Sequence, residues 1–287
     1  MPRVKVTLQE IRERTYKPVD AWWTVLLVDP LAARLVRLVA PYRWITPNVL
    51  TLVASIFGFG AAACFASGER GALVAGGVLF HISFVVDCMD GKIARLNGTG
   101  TMFGQWLDFV LDRVRIFFIA LALFGGQFAR TGNTAYLWLM AMAIFLDLFR
   151  YLNGAQMAKV RRAMKDQLNA YRLPSASEPD ADDETADDLT GPAGGGSLKS
   201  RIGETLRRNR IRTHLFSGIE YEMTVFIIAP ITGLIFPVTI AAGAGLLTFE
   251  LFLIYKLFRT CQRFPGRLAA ARAAYDEHAA ERVTSSV

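Results

Sequence analysis

Four aspartates with regular spacing are the residues of this sequence best suited to chemistry. Asp87, Asp90, Asp108 and Asp112 follow one another at intervals of three, eighteen and four residues. Because residues three or four apart share one face of a helix, two such pairs on neighbouring helices can converge on one point. Carboxylates gathered there repel one another unless a cation lies between them, and Mg²⁺ prefers such oxygen ligands. The spacing therefore predicts a divalent-metal site.

An acidic pair at helical spacing is also typical of an ordinary solvated helix face. Here apolar runs flank the acids, at Gly76–Val86 and Ile116–Gly125. A carboxylate at the centre of a membrane span costs about 2.5–3.5 kcal/mol even on an insertion scale, so acids beside such runs usually serve a function. This placement favours the metal site over the solvated face.

Small residues and an arginine accompany the acids. Gly91 directly follows Asp90 and leaves backbone room for a ligand to approach. Gly104 lies one turn before Asp108 and keeps that wall of the site open. Arg95 follows at a distance from which it can reach a phosphate that the metal also holds. Acids, open backbone and arginine together suit phosphoryl chemistry.

The complete pattern, Asp-x2-Asp-Gly-x2-Ala-Arg-x8-Gly-x3-Asp-x3-Asp, resembles the signature of the CDP-alcohol phosphotransferase (CDP-alcohol phosphatidyltransferase) family of integral-membrane enzymes. Every signature position is present: Asp87, Asp90, Gly91, Ala94, Arg95, Gly104, Asp108 and Asp112. The resemblance implies a transferase of phospholipid biosynthesis. Such an enzyme moves a substituted phosphate group from a CDP-linked donor to an alcohol hydroxyl and releases CMP.

The resemblance also implies a role for each signature residue. The metal ligands are Asp87, Asp90, Asp108 and Asp112, and we expect two ions, Mg²⁺ or Mn²⁺. The nucleotide-binding residues are Asp87, Gly91, Ala94, Arg95 and Gly104. Asp112 is the expected catalytic base, which takes the proton of the acceptor hydroxyl. The sequence leaves open whether Asp112 is instead a ligand of a second metal, or does both.

The identity of the acceptor and donor rests on weaker signals. The sequence Leu111–Val114 resembles the branch of the family that uses inositol phosphates more than the choline or ethanolamine branch. An acceptor with a phosphate needs cations, which Arg150, Arg212 and Lys256 could supply near the ends of apolar runs. We expect CDP-diacylglycerol as donor. A soluble CDP-alcohol donor with a lipid or inositol-type acceptor is the alternative.

Composition predicts the elements that must position these residues. Of 287 residues, 53% are hydrophobic, which indicates an all-α polytopic membrane protein. Residues 22–40 carry arginines on one face and apolar residues on the other, which predicts an amphipathic interfacial helix, with a soluble helix as alternative. Six transmembrane helices are expected near Val49–Ser67, Ala72–Val86, Gly104–Gly125, Ala135–Leu152, Met223–Phe236 and Val238–Phe258.

These elements divide the chain into three predicted parts. Residues 1–48 form an N-terminal segment with the interfacial helix, 49–258 a six-helix catalytic membrane domain, and 259–287 a C-terminal tail. Within the domain, residues 173–198 are rich in Pro, Ser, Gly and Asp, a composition typical of a disordered loop.

The distribution of basic residues predicts the orientation in the membrane. Of 32 Lys and Arg residues, only Arg70 and Arg130 fall in loops on the far side. The positive-inside rule then places both termini and the four aspartates at the cytoplasmic face of the cell membrane. The net charge of +7 is explained by these loops and need not indicate nucleic acid. The resemblance implies a homodimer.

A divalent-cation transporter is the competing class of function, because acids at membrane depth also mark ion pathways. Two features argue against it. The aspartates cluster at one end of the apolar runs and do not follow a path across them, and the signature glycines and arginine have no role in ion passage.

Overall fold

The computed structural model describes residues 6–42, 44–171, 198–214 and 216–285, with only the backbone for residues 198–202 and 279–285. Within these ranges the chain is helical and forms no strand. The loop predicted to be disordered, 173–198, lies outside the described residues except for its last position. All-α architecture is thereby confirmed for the part of the chain that is described.

The described part of the chain consists of ten α-helices and two π-helical turns. In chain order they are α1 (Leu8–Thr15), a π-helical turn (Thr24–Val28) leading into α2 (Asp29–Val39), α3 (Pro47–Ala66), α4 (Arg70–Asn97), α5 (Met102–Thr131), α6 (Ala135–Asn169), α7 (Leu198–Arg208), α8 (Gly218–Met223), a second π-helical turn (Thr224–Ile228), α9 (Ala229–Thr232) and α10 (Ile235–Ser285).

Capping residues fix the ends of the helices that carry the site. Thr46 begins α3 by accepting a hydrogen bond from the backbone N–H of Val49, and Thr101 begins α5 in the same way. Gly98 ends α4 with φ of 63°, a left-handed conformation that glycine adopts without strain. These caps define the tight turn between α4 and α5.

Four described helices are long and apolar enough to cross a membrane: α3, α4, α6 and α10. α5 and the helical segment 218–232 do not belong to this group, although the sequence predicted spans at both places. The first half of α5 carries the acids and arginines of the site. The structure therefore supports a polytopic membrane protein with four clear candidate spans.

The turn before the last helix differs from the prediction. The predicted spans end at Phe236 and resume at Val238, which puts the turn at Pro237. Pro237 instead lies in the first turn of α10, where a backbone N–H would have no helical partner in any case. The turn falls at Gly233, with φ of 78°, and Arg70 donates hydrogen bonds to the carbonyls of Pro230 and Ile231 beside it. The guanidinium thus satisfies carbonyls that a helix end leaves without partners.

The described residues fall into two compact units. The first contains the chain up to Leu148 and the segment that ends at Leu246; the second begins at Phe149 and, again, at Leu247. In the first unit, α3 packs along both α4 and α5. In the second, α10 continues without a break past the predicted end of the last span at Phe258.

A buried ion pair joins the N-terminal segment to α4. Asp29 is 2% exposed, and its carboxylate lies 2.7 Å from the Lys92 ammonium and 3.1 Å from the Arg210 guanidinium. Tyr16 donates a hydrogen bond to the main-chain oxygen of Asp29 at 3.0 Å. Burial raises the pKa of the Tyr16 phenol, and the Asp29 charge adds to the effect. The phenol therefore stays a donor.

A short backbone pairing strengthens the same attachment. Asp20 and Ile211 form an isolated parallel β-bridge. Arg210, which precedes Ile211, has a φ of 61°, in the left-handed region. The Arg210 guanidinium also donates to the Lys17 carbonyl. The segment before α8 is thereby held against the segment before α2.

We predict that Lys92→Met lowers the free energy of unfolding by about 3–5 kcal/mol, because it removes one partner of a buried ion pair. The measurement is thermal unfolding in detergent micelles followed by tryptophan fluorescence. Glu10→Gln is the matched control, since the Glu10–Arg14 pair is exposed and an i, i+4 surface pair contributes only about 0.3–0.5 kcal/mol. An equal decrease in unfolding temperature for both variants would contradict a structural role for Lys92.

Candidate metal-dependent active site

The helices α4 and α5 bring the predicted aspartates together. α4 runs unbroken through Asp87 and Asp90, and α5 begins just before Asp108 and Asp112 after a turn of four residues, 98–101. The sequence predicted each pair to share one helix, and the structure confirms that placement. It also extends α4 a further two turns beyond Asp90, to Asn97, which the sequence had treated as a loop.

Three of the four aspartates form a compact oxygen cluster. Asp87, Asp90 and Asp108 each offer one carboxylate oxygen, and these atoms lie within 4.8 Å of one another. Oδ1 of Asp108 is buried and accepts a hydrogen bond from no described residue. An all-oxygen donor set with an unsatisfied buried oxygen fits a hard divalent ion such as Mg²⁺ or Mn²⁺.

Asp112 lies outside this cluster and is held by an arginine. Its Oδ1 accepts a hydrogen bond from the terminal NH2 nitrogen of Arg115 at 2.6 Å, and the same nitrogen donates to Oδ1 of Asp87 at 3.1 Å. Arg115 is 4% exposed. Sequence reasoning missed this residue, although an arginine one turn after Asp112 inside an apolar run was a usable signal.

A glycine on α3 provides the space for Arg115. A Cβ atom added at Gly58 would lie 2.3 Å from Cδ and 2.6 Å from Cγ of Arg115, distances at which something must move. Ser83 closes the other side of this space and donates to the Ala54 carbonyl at 2.6 Å. The arginine stem therefore lies in a slot between α3 and α4 that a larger residue would fill.

A second residue of α3 also reaches the acidic cluster. The Thr51 hydroxyl, 4% exposed, donates a hydrogen bond to Oδ2 of Asp90 at 2.5 Å. This bond orients the Asp90 carboxylate within the cluster. Thr51 lies one turn after the helix start at Pro47, and sequence reasoning gave it no role.

The residues predicted to bind the nucleotide lie around the cluster. Gly91 is half-buried, and a Cβ atom there would lie 3.4 Å from a terminal nitrogen of Arg95. The Nε of Arg95 donates to the Thr15 carbonyl at 2.8 Å, which fixes the side chain against the N-terminal segment. Ala94 is half-buried on the same helix. The structure thus places these three residues beside one another.

Gly104 lies beside two residues that line a cavity near the turn between α4 and α5. A Cβ atom at Gly104 would lie 3.0 Å from the Thr101 hydroxyl and 3.2 Å from the Asn48 amide oxygen. Asn48 and Thr101 also line a cavity of about 480 Å³, which extends towards Asn97 and Thr99. Apolar residues, among them Ala40 and Ile45, line the cavity together with these polar side chains.

A second buried charge network lies one residue from Asp112. The Arg113 guanidinium donates to both carboxylate oxygens of Asp147 at 2.7 Å and to Glu222 at 3.1 Å. It joins α5, α6 and α8. The network fixes the part of α5 that carries Asp112.

The three predicted acceptor-binding cations have different surroundings. Arg212 belongs to the first unit, where its guanidinium lies 3.9 Å from the Asp20 carboxylate. Arg150 and Lys256 belong to the second unit. The acceptor role of all three stays a prediction.

In the second unit, Arg150 is engaged by an acid. Its Nε lies 3.2 Å from Oε1 of Glu250, which is fully buried, and Asn153 donates to the other oxygen of Glu250 at 2.7 Å. Lys256 lies over the ring of Phe252 at 5.5 Å. The buried Glu250 carboxylate is therefore paired with Arg150.

Comparison with known proteins places a family match over this site. Residues 44–170, which include the whole signature, match the family described as CDP-alcohol phosphatidyltransferase. The resemblance stated from the signature is confirmed for this part of the chain.

Three curated relatives match shorter stretches. A bifunctional IPC transferase and DIPP synthase of Aquifex aeolicus is 41% identical over 24% of this chain and 15% of its own length. A phosphatidylinositol phosphate synthase of Corynebacterium glutamicum is 35% identical over 31% of this chain and 37% of its own. An archaetidylinositol phosphate synthase of Methanothermobacter thermautotrophicus is 34% identical over 35% and 46%. The chain thus spans less than half the length of each relative.

We predict that Gly58→Ala destabilises the protein by about 1–3 kcal/mol, because the added methyl group overpacks the slot that holds Arg115. Gly60→Ala is the matched control, since its Cβ atom would meet nothing closer than Leu79 at 3.9 Å. Removing a helix-interior glycine should instead stabilise that variant by about 0.5–1 kcal/mol. Thermal unfolding in detergent measures both. A Gly58→Ala protein as stable as the Gly60→Ala protein would show that the slot is not tightly packed.

Proposed function

Because residues 44–170 belong to the CDP-alcohol phosphatidyltransferase family, we propose that this chain is a membrane phosphotransferase that transfers a substituted phosphate group from a CDP-linked donor to an alcohol hydroxyl and releases CMP. The observation that carries the proposal is the oxygen cluster of Asp87, Asp90 and Asp108, formed by the signature itself. A diphosphate is the natural partner of such a cluster once a divalent ion is bound.

The metal site would be held by the three clustered aspartates. Bound there, a divalent ion supplies charge stabilisation to the phosphoryl oxygens of the donor. Thr51 orients Asp90 through its hydroxyl, so the ligand set is fixed before the ion arrives. Asp112 would join these metal ligands only if a second ion is bound.

Asp112 is the proposed general base. It accepts the proton of the acceptor hydroxyl while the acceptor oxygen forms a bond to the β-phosphorus of the donor. The bond from that phosphorus to the oxygen it shares with the α-phosphate then breaks, and CMP leaves with the electron pair. Arg115 donates a hydrogen bond to the Asp112 carboxylate and keeps it in place, while Arg113 fixes this part of α5 through its hydrogen bonds to Asp147.

Nucleotide recognition is proposed for Asp87, Gly91, Ala94, Arg95 and Gly104. Gly91 and Gly104 leave the backbone accessible, and the terminal nitrogens of Arg95 lie beside Gly91. A phosphate contact from that guanidinium would add a charge-assisted hydrogen bond.

An inositol phosphate is the proposed acceptor. Two of the three curated relatives carry inositol phosphate in their names, as synthases of phosphatidylinositol phosphate and of archaetidylinositol phosphate. Arg150, Arg212 and Lys256 are the proposed partners of the acceptor phosphate. CDP-diacylglycerol is the proposed donor, and a soluble CDP-alcohol with a lipid or inositol-type acceptor is the alternative that the experiment below separates.

The membrane arrangement completes the proposal. Six spans would comprise the four long apolar helices with α5 and segment 218–232, within a catalytic domain of residues 49–258. α2 would lie in the membrane interface, supported by exposed Leu31 and Leu38 and by Trp44, which is 70% exposed. The distribution of Lys and Arg supports cytoplasmic termini and a cytoplasmic site. A homodimer is proposed from the family alone.

We predict that purified protein in detergent, with CDP-diacylglycerol and Mg²⁺, releases CMP only when an acceptor is present. Inositol phosphate should be the active member of a panel with glycerol phosphate, inositol and serine. A chelator should abolish release, and Asp112→Asn should slow it by about 10²–10⁴-fold, the usual contribution of a general base.

Asp166→Asn, which changes an exposed aspartate of α6, is the control and should leave the rate unchanged. Release only with a soluble CDP-alcohol and a lipid hydroxyl would reverse the donor assignment. No CMP under any condition, with divalent ions crossing proteoliposomes, would replace the transferase by a transporter.

A further inference from the structure

The segment between α1 and the first π-helical turn is held in place by two arginines. The Nε of Arg95 donates a hydrogen bond to the Thr15 carbonyl at 2.8 Å. Two residues later, the Arg210 guanidinium donates to the Lys17 carbonyl, from Nε at 3.0 Å and from a terminal nitrogen at 2.8 Å. Pro18 follows and disfavours a helical backbone at Lys17. The backbone of Lys17 therefore has a defined position near a signature arginine.

The arginine behind Lys17 is itself firmly held. Its guanidinium, that of Arg210, lies 3.1 Å from the Asp29 carboxylate and 4.3 Å from the centre of the Tyr16 ring. The other oxygen of Asp29 lies 2.7 Å from the Lys92 ammonium on α4. The support of Lys17 is thus joined to the helix that carries Asp90.

The Lys17 side chain, in contrast to its backbone, is exposed and makes no hydrogen bond or ion pair with any residue that the structure describes. Its ammonium interacts electrostatically with the carboxylate of Asp108, a member of the three-aspartate cluster. A fixed backbone with an unengaged ammonium near this cluster is the arrangement expected of a group that binds an anion there.

Other cations near the cluster are already engaged by the chain. Arg115 and Lys92 are each paired with carboxylates. Arg95 uses its Nε for a main-chain carbonyl, but its terminal nitrogens lie 3.4 and 3.6 Å from where a Cβ atom of Gly91 would be. Within the described residues, Lys17 and these terminal nitrogens of Arg95 are therefore cationic donors that a ligand can still use.

On the assumption that the site is the proposed transferase centre, we propose that Lys17 binds the donor phosphate that leaves as CMP, together with Arg95. The Lys17 ammonium donates a hydrogen bond to a non-bridging oxygen of the α-phosphate. When the acceptor oxygen bonds to the β-phosphorus, the bond to the oxygen shared with the α-phosphate breaks and its electron pair stays on CMP. A cation at the α-phosphate stabilises this added negative charge.

The surroundings of Lys17 favour the nucleotide phosphate over the phosphate of the acceptor. Through Thr15, the segment of Lys17 is bonded to Arg95, which lies beside Gly91, and both are proposed nucleotide-binding residues. The carboxylate that Lys17 faces belongs to the proposed metal cluster, whereas Asp112, the proposed base for the acceptor hydroxyl, lies outside that cluster. Lys17 is accordingly assigned to the donor side of the site.

The test measures nucleotide binding without turnover. Full-length protein in detergent with Mg²⁺ is titrated with CMP and, separately, with cytidine by isothermal titration calorimetry. We expect Lys17→Gln to weaken CMP binding by about 10-fold, the lower range for a hydrogen bond to a charged group, because the side chain is exposed and screened. Cytidine binding should not change, since cytidine has no phosphate.

Two further variants serve as controls. Lys17→Arg keeps the positive charge and should retain most of the CMP affinity. Arg37→Gln removes an exposed cation from α2, in the same unit of the chain, and should bind CMP as the unchanged protein does. The unfolding temperature of each variant shows that it is folded; Lys17→Gln should be stable, because the hydrogen bonds at this position are made by the main chain.

Unaltered CMP binding by folded Lys17→Gln would overturn the inference and leave the transferase standing. An equal loss of CMP and cytidine binding would also overturn it, because the effect would then not depend on the phosphate. So would weaker binding of inositol phosphate, titrated in the same way, with CMP binding unchanged, since Lys17 would then belong to the acceptor site. If the unchanged protein binds no CMP, the proposed function fails, and the inference fails with it.

Discussion

The arrangement of this protein depends on balancing negative charge inside a largely apolar helical structure. Four carboxylates at the junction of α4 and α5 cannot be buried together without cations, because ionised groups lose hydration there. Two groups of the chain offset this charge: the Arg115 guanidinium on α5 and the Thr51 hydroxyl on α3. The clustered carboxylate oxygens are themselves suited to binding a metal ion. The packing of α3 against α5 depends on this arginine, because a glycine at position 58 leaves the room that the Arg115 stem occupies.

The same principle recurs away from the site. Arg113 forms ion pairs with Asp147 and Glu222, Lys92 with Asp29, and Arg150 with Glu250. Each of these acids is almost completely buried. Buried pairs of this kind contribute little net stability compared with apolar residues, but losing one partner is strongly unfavourable. They therefore fix which helices lie side by side, and they do so on both units of the chain.

The sequence predicted those parts of the structure that depend on local pattern. Spacing alone placed Asp87 with Asp90 and Asp108 with Asp112 on two consecutive helices, and the apolar run near Val49–Ser67 predicted the span that the structure shows as α3. Contacts between distant residues were not predictable in this way. Thr51 contacts Asp90 from α3, and Arg115 contacts Asp112 from one turn beyond the signature on α5. The spacing of apolar and polar residues along a sequence does not indicate which side chains from other helices will make such contacts. The turn at Gly233 was missed because Pro237, a strong breaker, also fits a first helical turn.

Lys92 occupies a position that the signature leaves variable, between Gly91 and Ala94, yet its ammonium is committed to Asp29 in the N-terminal segment. A shortened protein that starts at α3 would keep every signature residue and still lose this partner. It would carry an uncompensated cation on the buried side of α4, two residues from Asp90. The segment before α3 is thus part of the minimal folding unit of the site, and exchanging it between relatives would require exchanging residue 92 with it.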